Sequence, residues 1–292
     1  MTAPIVVGVD PRRHDPEAPV LAALLARAMK APVLAVAAYD DDGLGGGARD
    51  HEHRGAALAR LSAVEAAFYG IALETCAVAG PSAARVLRGC AEESGAGLLV
   101  VGSSRRGIKG RIALGHTADR VLHGAPCPIA VAPLGFANRM CGIDRIGAAF
   151  VDDDEGYDAL RAAAVLATAC EAELHAATAV EPLPFSATLA VLRERAEARL
   201  HDALHVVAPD VPSRAEAFIN GVVPALEQLS HDVDLLVCGS RGYGPLGSVL
   251  LGSVSRRLIH RAACPVIVVP PGTERALEAL AGTPEALEAN HA

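Results

Sequence analysis

The sequence predicts an α/β protein of two repeated, doubly wound units, each built on a five-stranded parallel sheet. Short apolar runs alternate with segments of helical period along most of the chain. Two of these runs, GLLVVG ending at Gly102 and DLLVCG ending at Gly239, show no polar alternation, as suits strands covered on both faces. The chain also repeats itself. Gly102, Gly107, Gly110, Leu114 and Gly115 stand in register with Gly239, Gly244, Gly247, Leu251 and Gly252, every pair 137 positions apart. Both copies then continue alike, with Arg120, His123, Ala125, Cys127, Pro128 and Pro133 against Arg257, His260, Ala262, Cys264, Pro265 and Pro270.

In the first half, strands are expected near Ile5 to Val9, Pro32 to Ala38, Ala72 to Val78, Leu98 to Gly102 and Pro128 to Ala132. Helices are expected between them, at Ala18 to Met29, Glu52 to Tyr69, Ser82 to Glu93 and Thr117 to His123, where apolar residues recur every three or four positions. The second half repeats the order. Its strands fall near Ile146 to Val151, Glu173 to Val180, Ala215 to Phe218, Asp234 to Gly239 and Pro265 to Val269, again separated by four helices. Strict alternation implies parallel pairing through right-handed crossovers, with helices on both faces.

A chain of 292 residues has room for two such domains. The expected boundaries are 1–135 and 144–271, joined through Leu134 to Asp144. An acidic, alanine-rich tail over 272–292 forms a marginal helix or stays disordered. Asp40 to Asp50 reads as a flexible surface loop. Hydrophobic residues make up 51% and the mean hydropathy is +0.31, yet much of this is alanine, and no apolar run approaches the roughly 20 residues that cross a bilayer. No membrane partner is expected. The opening MTAPIVVGVDPRR enters a strand without the pattern of a secretory signal, which predicts a cytoplasmic protein. Seven cysteines without CxxC pairs fit buried thiols in a reducing compartment. A net charge of −8 and 3% aromatic residues argue against nucleic acid as a partner.

Both glycine segments begin at the carboxyl end of a strand, where open α/β sheets hold ligands. A phosphate held by backbone N–H groups needs amides that converge with no side chain in the way, and glycine also permits positive φ angles that turn successive amides inward. Ser253 sits at the expected cap of the following helix, its hydroxyl available to the helix or to a phosphate oxygen. Ser240, Val254 and Ser255 flank the same loop. Two familiar motifs fail here. Gly242, Gly244 and Gly247 spell GxGxxG, but in the fourth unit and with no acid between Ser248 and Thr273. Gly102 to Lys109 misses a P-loop by the intruding Ile108 and by the lack of a hydroxyl residue after the lysine.

On these residues each half resembles a universal stress protein domain, a flavodoxin-like five-stranded unit also similar to the adenine nucleotide α-hydrolases. ATP-binding members carry G-x2-G-x9-G-[S/T] after the fourth strand. Gly239, Gly242, Gly252 and Ser253 complete that pattern, and GSVSRRLIHRAACPVIVV continues as the family does. The likeness runs from Pro4 to Pro270, so the chain resembles a tandem member. The resemblance implies a cytoplasmic stress-response protein that binds a nucleotide and pairs its domains through the fifth strands, here PIAVAP and PVIVVP. It also implies an aspartate beside the adenine at the end of the first strand.

The halves depart from the pattern in opposite ways. Asp10 takes the aspartate's place in the first half. In the second the aligned residue is Val151, followed by Asp152, Asp153 and Asp154, so an acid is present only if the strand end shifts by one. The first half keeps Gly102 and Gly115 but carries Arg105 for the second motif glycine and His116 for the final hydroxyl, with Thr117 next in line to move the cap by one. Either Arg105 blocks the loop, or Arg105, Arg106, Lys109 and Arg111 meet phosphates through side-chain charge.

Other constellations carry less. His201 and His205 have a zinc-compatible spacing on a predicted helix but no evident third ligand. His51 and His53 adjoin the flexible loop, and His123 and His260 repeat near the end of the fourth helix, where structural duty is expected. Asp152 to Asp154 reads as a solvated run, with magnesium beside a bound triphosphate left open.

The expected function is a non-enzymatic regulator of the stress response, with ATP or another adenine nucleotide held mainly by the second half's glycine loop. The two domains form an internal pseudo-dimer, since exposed apolar edge strands invite pairing. A homodimer and unknown protein partners stay open. The alternatives are an adaptor of the same fold that binds no nucleotide, or a weak ATPase or phosphotransferase, although no base or arginine is evidently committed to phosphoryl transfer.

Overall fold

The computed structural model describes residues 2–40, 48–104, 108–139, 142–180, 189–240 and 252–280. The first half contains strands β1 (Ile5–Gly8), β2 (Val33–Tyr39), β3 (Leu73–Ala79), β4 (Leu98–Gly102) and β5 (Ile129–Ala132). Helices α1 (Glu17–Met29), α2 (Ala48–Val64), α3 (Ala83–Glu93) and α4 (His116–Leu122) alternate with them. The second half contains β6 (Arg145–Ala149), β7 (Glu173–Ala179), β8 (Ser213–Phe218), β9 (Leu235–Gly239) and β10 (Val266–Val269). Its helices are α5 (Asp154–Cys170), α6 (Leu189–Val207), α7 (Val222–Asp232), α8 (Ser253–Arg261) and a further α9 (Glu274–Leu280).

The two five-stranded sheets merge into one of ten strands, in the order β3-β2-β1-β4-β5-β10-β9-β6-β7-β8. Pairing is parallel within each half and antiparallel at the single junction of β5 with β10. Residues of each central strand alternate between the two covers. Leu98, Val100, Ala130 and Ile267 face the layer of α1, α2, α5, α6 and α9, while Leu99, Val101, Ile129 and Val266 face α3, α4, α7 and α8. Continuous apolar strands are therefore satisfied on both sides. The duplication extends to helix ends. Lys30 and Glu171, 141 positions apart, both close their helices in the left-handed region, at φ 53° and 54°.

The fifth strands pair as Val131 with Val266, Ala130 with Ile267 and Ile129 with Val268. Ala130 and Ile267 are repeat equivalents that face one another, so the pseudo-twofold axis passes through this pair. A small residue meets a large one there, and both are fully buried. Asp119 and Arg256, also equivalents, form an ion pair between α4 and α8.

The connection between the halves contains a 3-10 turn, Phe136–Arg139, pinned from below by Glu17. This carboxylate is 6% exposed and accepts hydrogen bonds from the Gly135 and Ala137 N–H groups, at 2.9 and 2.6 Å. Glu17→Gln offers an amide nitrogen to one of these donors and leaves it unpaired. A loss of about 2 kcal/mol in urea unfolding is expected; an unchanged midpoint would show that the connection does not depend on Glu17.

The tail is ordered over α9, which lies against α5 and reaches the first half. Leu277 and Leu280 are fully buried, and the Ala3 N–H donates to the Ala279 carbonyl at 3.4 Å. A Cβ at Gly97 would collide with Leu280 and with the Ala276 carbonyl. Residues 281–292 of the tail lie outside the described residues, as do 41–47 of the glycine-rich loop. Among the described residues no helix is long and apolar enough to cross a membrane.

Candidate functional site

Each half opens a cleft at the carboxyl ends of its strands. The first has a volume of about 560 Å³, walled by Val36, Ala38, Leu87 and Val101 and rimmed by polar groups. Asp10 stands two residues beyond β1, its Oδ1 accepting the Arg12 N–H at 2.9 Å. The Arg12 guanidinium then pairs with Asp40 beyond β2, bridging two strand ends across the mouth. Asp15 lies deeper. A Cβ on Gly102 would come within 2.5 Å of its carboxylate, which explains the glycine there.

The loop leaving β4 is held by its own hydroxyl. Ser103 Oγ accepts the Ala113 N–H at 2.7 Å and donates to the Ala113 carbonyl at 3.1 Å, while the Ser104 N–H reaches the same carbonyl at 2.7 Å. Gly115 caps α4 with φ −80°, and His116 is its first residue. The cap does not move to Thr117, the shift that its hydroxyl left open. Thr117 lies one residue into the helix and lines the cleft together with Gly102 and Gly115.

The second cleft is smaller, about 370 Å³, and uses equivalent walls, among them Ala177, Ala179, Leu226 and Cys238. Gly239 and Ser255 line it, and the Ser255 hydroxyl donates to the Gly239 carbonyl at 2.8 Å, tying α8 to the end of β9. Ser240 is fully buried, and its hydroxyl has no hydrogen-bond partner among the described residues. The Ser240 carbonyl accepts the Gly252 N–H at 2.8 Å, closing the base of the loop. Gly242 lies outside the described residues.

Several expectations need correction. Gly252, not Ser253, is the N-cap of α8, with φ −62° and ψ 157°; Ser253 and Val254 are its first two residues. Neither cap glycine is there for a positive φ. A positive φ is found instead at Gly110, 84° in the turn before α4. Val151 does occupy the place of Asp10. β6 ends at Ala149, and no acid shifts into register, because Asp153 caps α5 by accepting the Gly156 N–H at 2.9 Å and Asp152 pairs with Arg199 at 3.3 Å. α5 starts earlier than α1 relative to its strand, and the Glu155 backbone lies against Gly239 as Asp15 lies against Gly102.

Arg111 does not face the first cleft. Its guanidinium crosses to the second half, donating to Glu227 Oε1 at 3.1 Å and to the Arg261 carbonyl at 3.2 Å. Arg261 pairs with the other Glu227 oxygen at 3.2 Å. The hydrogen bond from Arg111, with the two positive charges, holds the Glu227 carboxyl below the usual carboxylate range despite partial desolvation. Lys109 lies beside Gly135 of the connection; Arg105 and Arg106 lie outside the described residues.

The histidines and cysteines play other parts. His201 and His205 stack edge to face at 4.5 Å, and no group of three potential metal ligands occurs among the described residues. His123 Nδ1 contacts the Asp119 carbonyl at 2.6 Å, closing the end of α4. Burial pushes the thiols of Cys127 and Cys238 up to about 12 and that of Cys170 to about 11, which keeps them protonated at neutral pH. Sequence reasoning missed Arg12, Asp15, Asp40 and Glu155 as cleft residues. All four follow strand ends or open first helices, but their reach into a cleft depends on loop paths that local pattern does not encode.

The model described as the Universal stress protein family matches residues 1–133 and again 142–270. A universal stress protein of Mycobacterium tuberculosis is 29% identical over 200 residues, 61% of this chain and 66% of that protein. The match thus spans just under two thirds of the relative's length. A universal stress protein of Thermus aquaticus is 34% identical over 130 residues, 39% of this chain and 93% of its own length. The crystal structure of a universal stress protein from Archaeoglobus fulgidus superposes with a TM-score of 0.67 over 91% of this chain and 98% of that one, a likeness of fold at 20% identity. With a matching domain in each half and the shared architecture of sheet and clefts, the chain belongs to the universal stress protein family.

Proposed function

We propose that the protein is a non-enzymatic, nucleotide-responsive regulator of the stress response that takes an adenine nucleotide, ATP foremost, in the cleft of its second half. The observation carrying this reading is the complete spacing of Gly239, Gly242, Gly252 and Ser253 beside a cleft of about 370 Å³, within the range of small-molecule sites. In this reading Gly239, Ser240, Gly242, Gly252, Ser253, Val254 and Ser255 form the phosphate end, and Val151 borders the base. The domains, bounded at 1–135 and 144–271, work as an internal pseudo-dimer. Asp152 and Asp153 are already engaged with Arg199 and the α5 cap, so the reading includes no magnesium ion held by these side chains.

The size of the first cleft favours a second reading, in which the ligand lies there, between Asp10 and the Gly102, Gly115 and Thr117 side. One experiment separates the two. Gly252 is an extended cap, so valine fits its backbone and acts by filling space. Titration of ATP by calorimetry is expected to show at least a tenfold, or ~1.4 kcal/mol, loss in Gly252→Val and little change in Gly115→Val. The reverse pattern moves the ligand to the first cleft, and binding to neither protein nor wild type supports the adaptor.

A further inference from the structure

The contact of Arg111 joins the loop of one cleft to the walls of the other. Arg111 belongs to the segment 108–115 that runs from the first half's glycine region into α4, and the neighbouring Ala113 closes on Ser103 and Ser104, which line the first cleft. Across the domain junction Glu227 lies on α7, one residue from Leu226 and on the same helix as Val222, both of which line the second cleft. Arg261 ends α8, the helix that supplies Ser255 and Leu258 to that cleft. The bridge is thus continuous: first loop, Arg111, Glu227 and Arg261, then α7 and α8. The sequence does not repeat its central arginine, since the repeat equivalent of Arg111 is Ser248.

We propose that Arg111 and Glu227 are positioning residues through which the second half sets the geometry of the first half's loop, so that the two clefts are linked and do not work as independent copies. The asymmetry gives the linkage a direction of construction. α7 and α8 carry walls of the second cleft, and a ligand that shifts them moves the anchor of Arg111. By thermodynamic reciprocity, filling the first cleft must bias the second to the same degree. The side chains of Arg111 and Glu227 are 39% and 25% exposed, so the fold does not depend on them as it does on core residues.

This inference rests on the second cleft binding nucleotide, but its first test does not. In the full-length protein without ligand, amide hydrogen exchange over 108–115 is expected to be faster in Arg111→Met and in Glu227→Gln than in the wild type, with the double variant no faster than either single one. Unchanged exchange in both single variants overturns the proposal. In the second test ATP is titrated while protection is followed at 103–104 and 115–117 for the first cleft and at 239–240 and 252–255 for the second. ATP in the second cleft is expected to change exchange over 108–117 by about fivefold or more in the wild type, and Glu227→Gln to abolish that response. A response that persists in Glu227→Gln, or that is absent from the wild type while the second cleft is protected, also overturns the linkage. Absence of ATP protection at both clefts of the wild type refutes the nucleotide reading and, with it, the linkage, while the ligand-free comparison still judges the bridge.

Discussion

Gly156→Ala is expected to lower the stability of the protein by about 2–4 kcal/mol and to collapse the second cleft. The added methyl group would fall on the Val151 carbonyl oxygen, which already accepts the Asp153 N–H at 2.8 Å. Relief requires opening the turn from Val151 to Gly156, and that turn contains the hydrogen bond from the Gly156 N–H to Asp153 that caps α5. Overpacking and loss of the cap therefore act together. Because Val151, Asp153 and Gly156 all line the cleft, ATP binding there should weaken in the same variant. Asp153→Ala is the control, expected to lose about 1 kcal/mol through the cap alone. Urea unfolding of the two variants gives the comparison; a Gly156→Ala protein as stable as the wild type would mean that the turn is not as tight as described.

The second large effect is expected at the junction of the halves. Ile267 is fully buried on β10 and faces Ala130, too small to refill the space if the isoleucine is lost. Ile267→Ala should destabilise the protein by about 3–5 kcal/mol, in the upper part of the range for such truncations. Ala130→Ile alone overpacks the same point and should lose about 1–3 kcal/mol. The exchange of both residues restores the total volume. Thermal unfolding of the double variant should recover most of the sum of the two losses, and strict additivity would show that the side chains do not share one space.

The elements that sequence alone located best are those whose signal is local. Strand β4, Leu98–Gly102, is found at its expected bounds, and the other strands fall within two residues of theirs, because an apolar run flanked by glycine or proline announces itself. The duplication, with its constant spacing, gave the order of elements in the second half from the first. The cap of α8 was misplaced by one residue because Gly252 and Ser253 are each good caps and only the path of the preceding chain selects between them, and Gly115 likewise caps α4 in place of Thr117 two residues on. Arg111 entered one of two alternatives for the first loop, as a phosphate ligand, because its neighbours are basic. Its actual partner is 116 positions away, and no periodicity connects residues that distant. The same holds for α9, whose composition reads as marginal until the surface that buries Leu277 and Leu280 is known.

The place of β10 at the centre of the sheet bears on the order in which the chain can be completed. β5 has its partner on one side from the first half alone, but the other side waits for Val266, some 134 residues later. At a synthesis rate of about 5–20 residues per second, that interval is on the order of ten seconds. Through it, the nascent first half presents a bare apolar edge of the kind that recruits foreign strands. Its floor at Ala3 and Gly97 stays uncovered longer still, until α9 has left the ribosome. The first half is made early and finished last, so a ribosome that stalls between the two halves leaves behind a sticky intermediate and not a small finished protein.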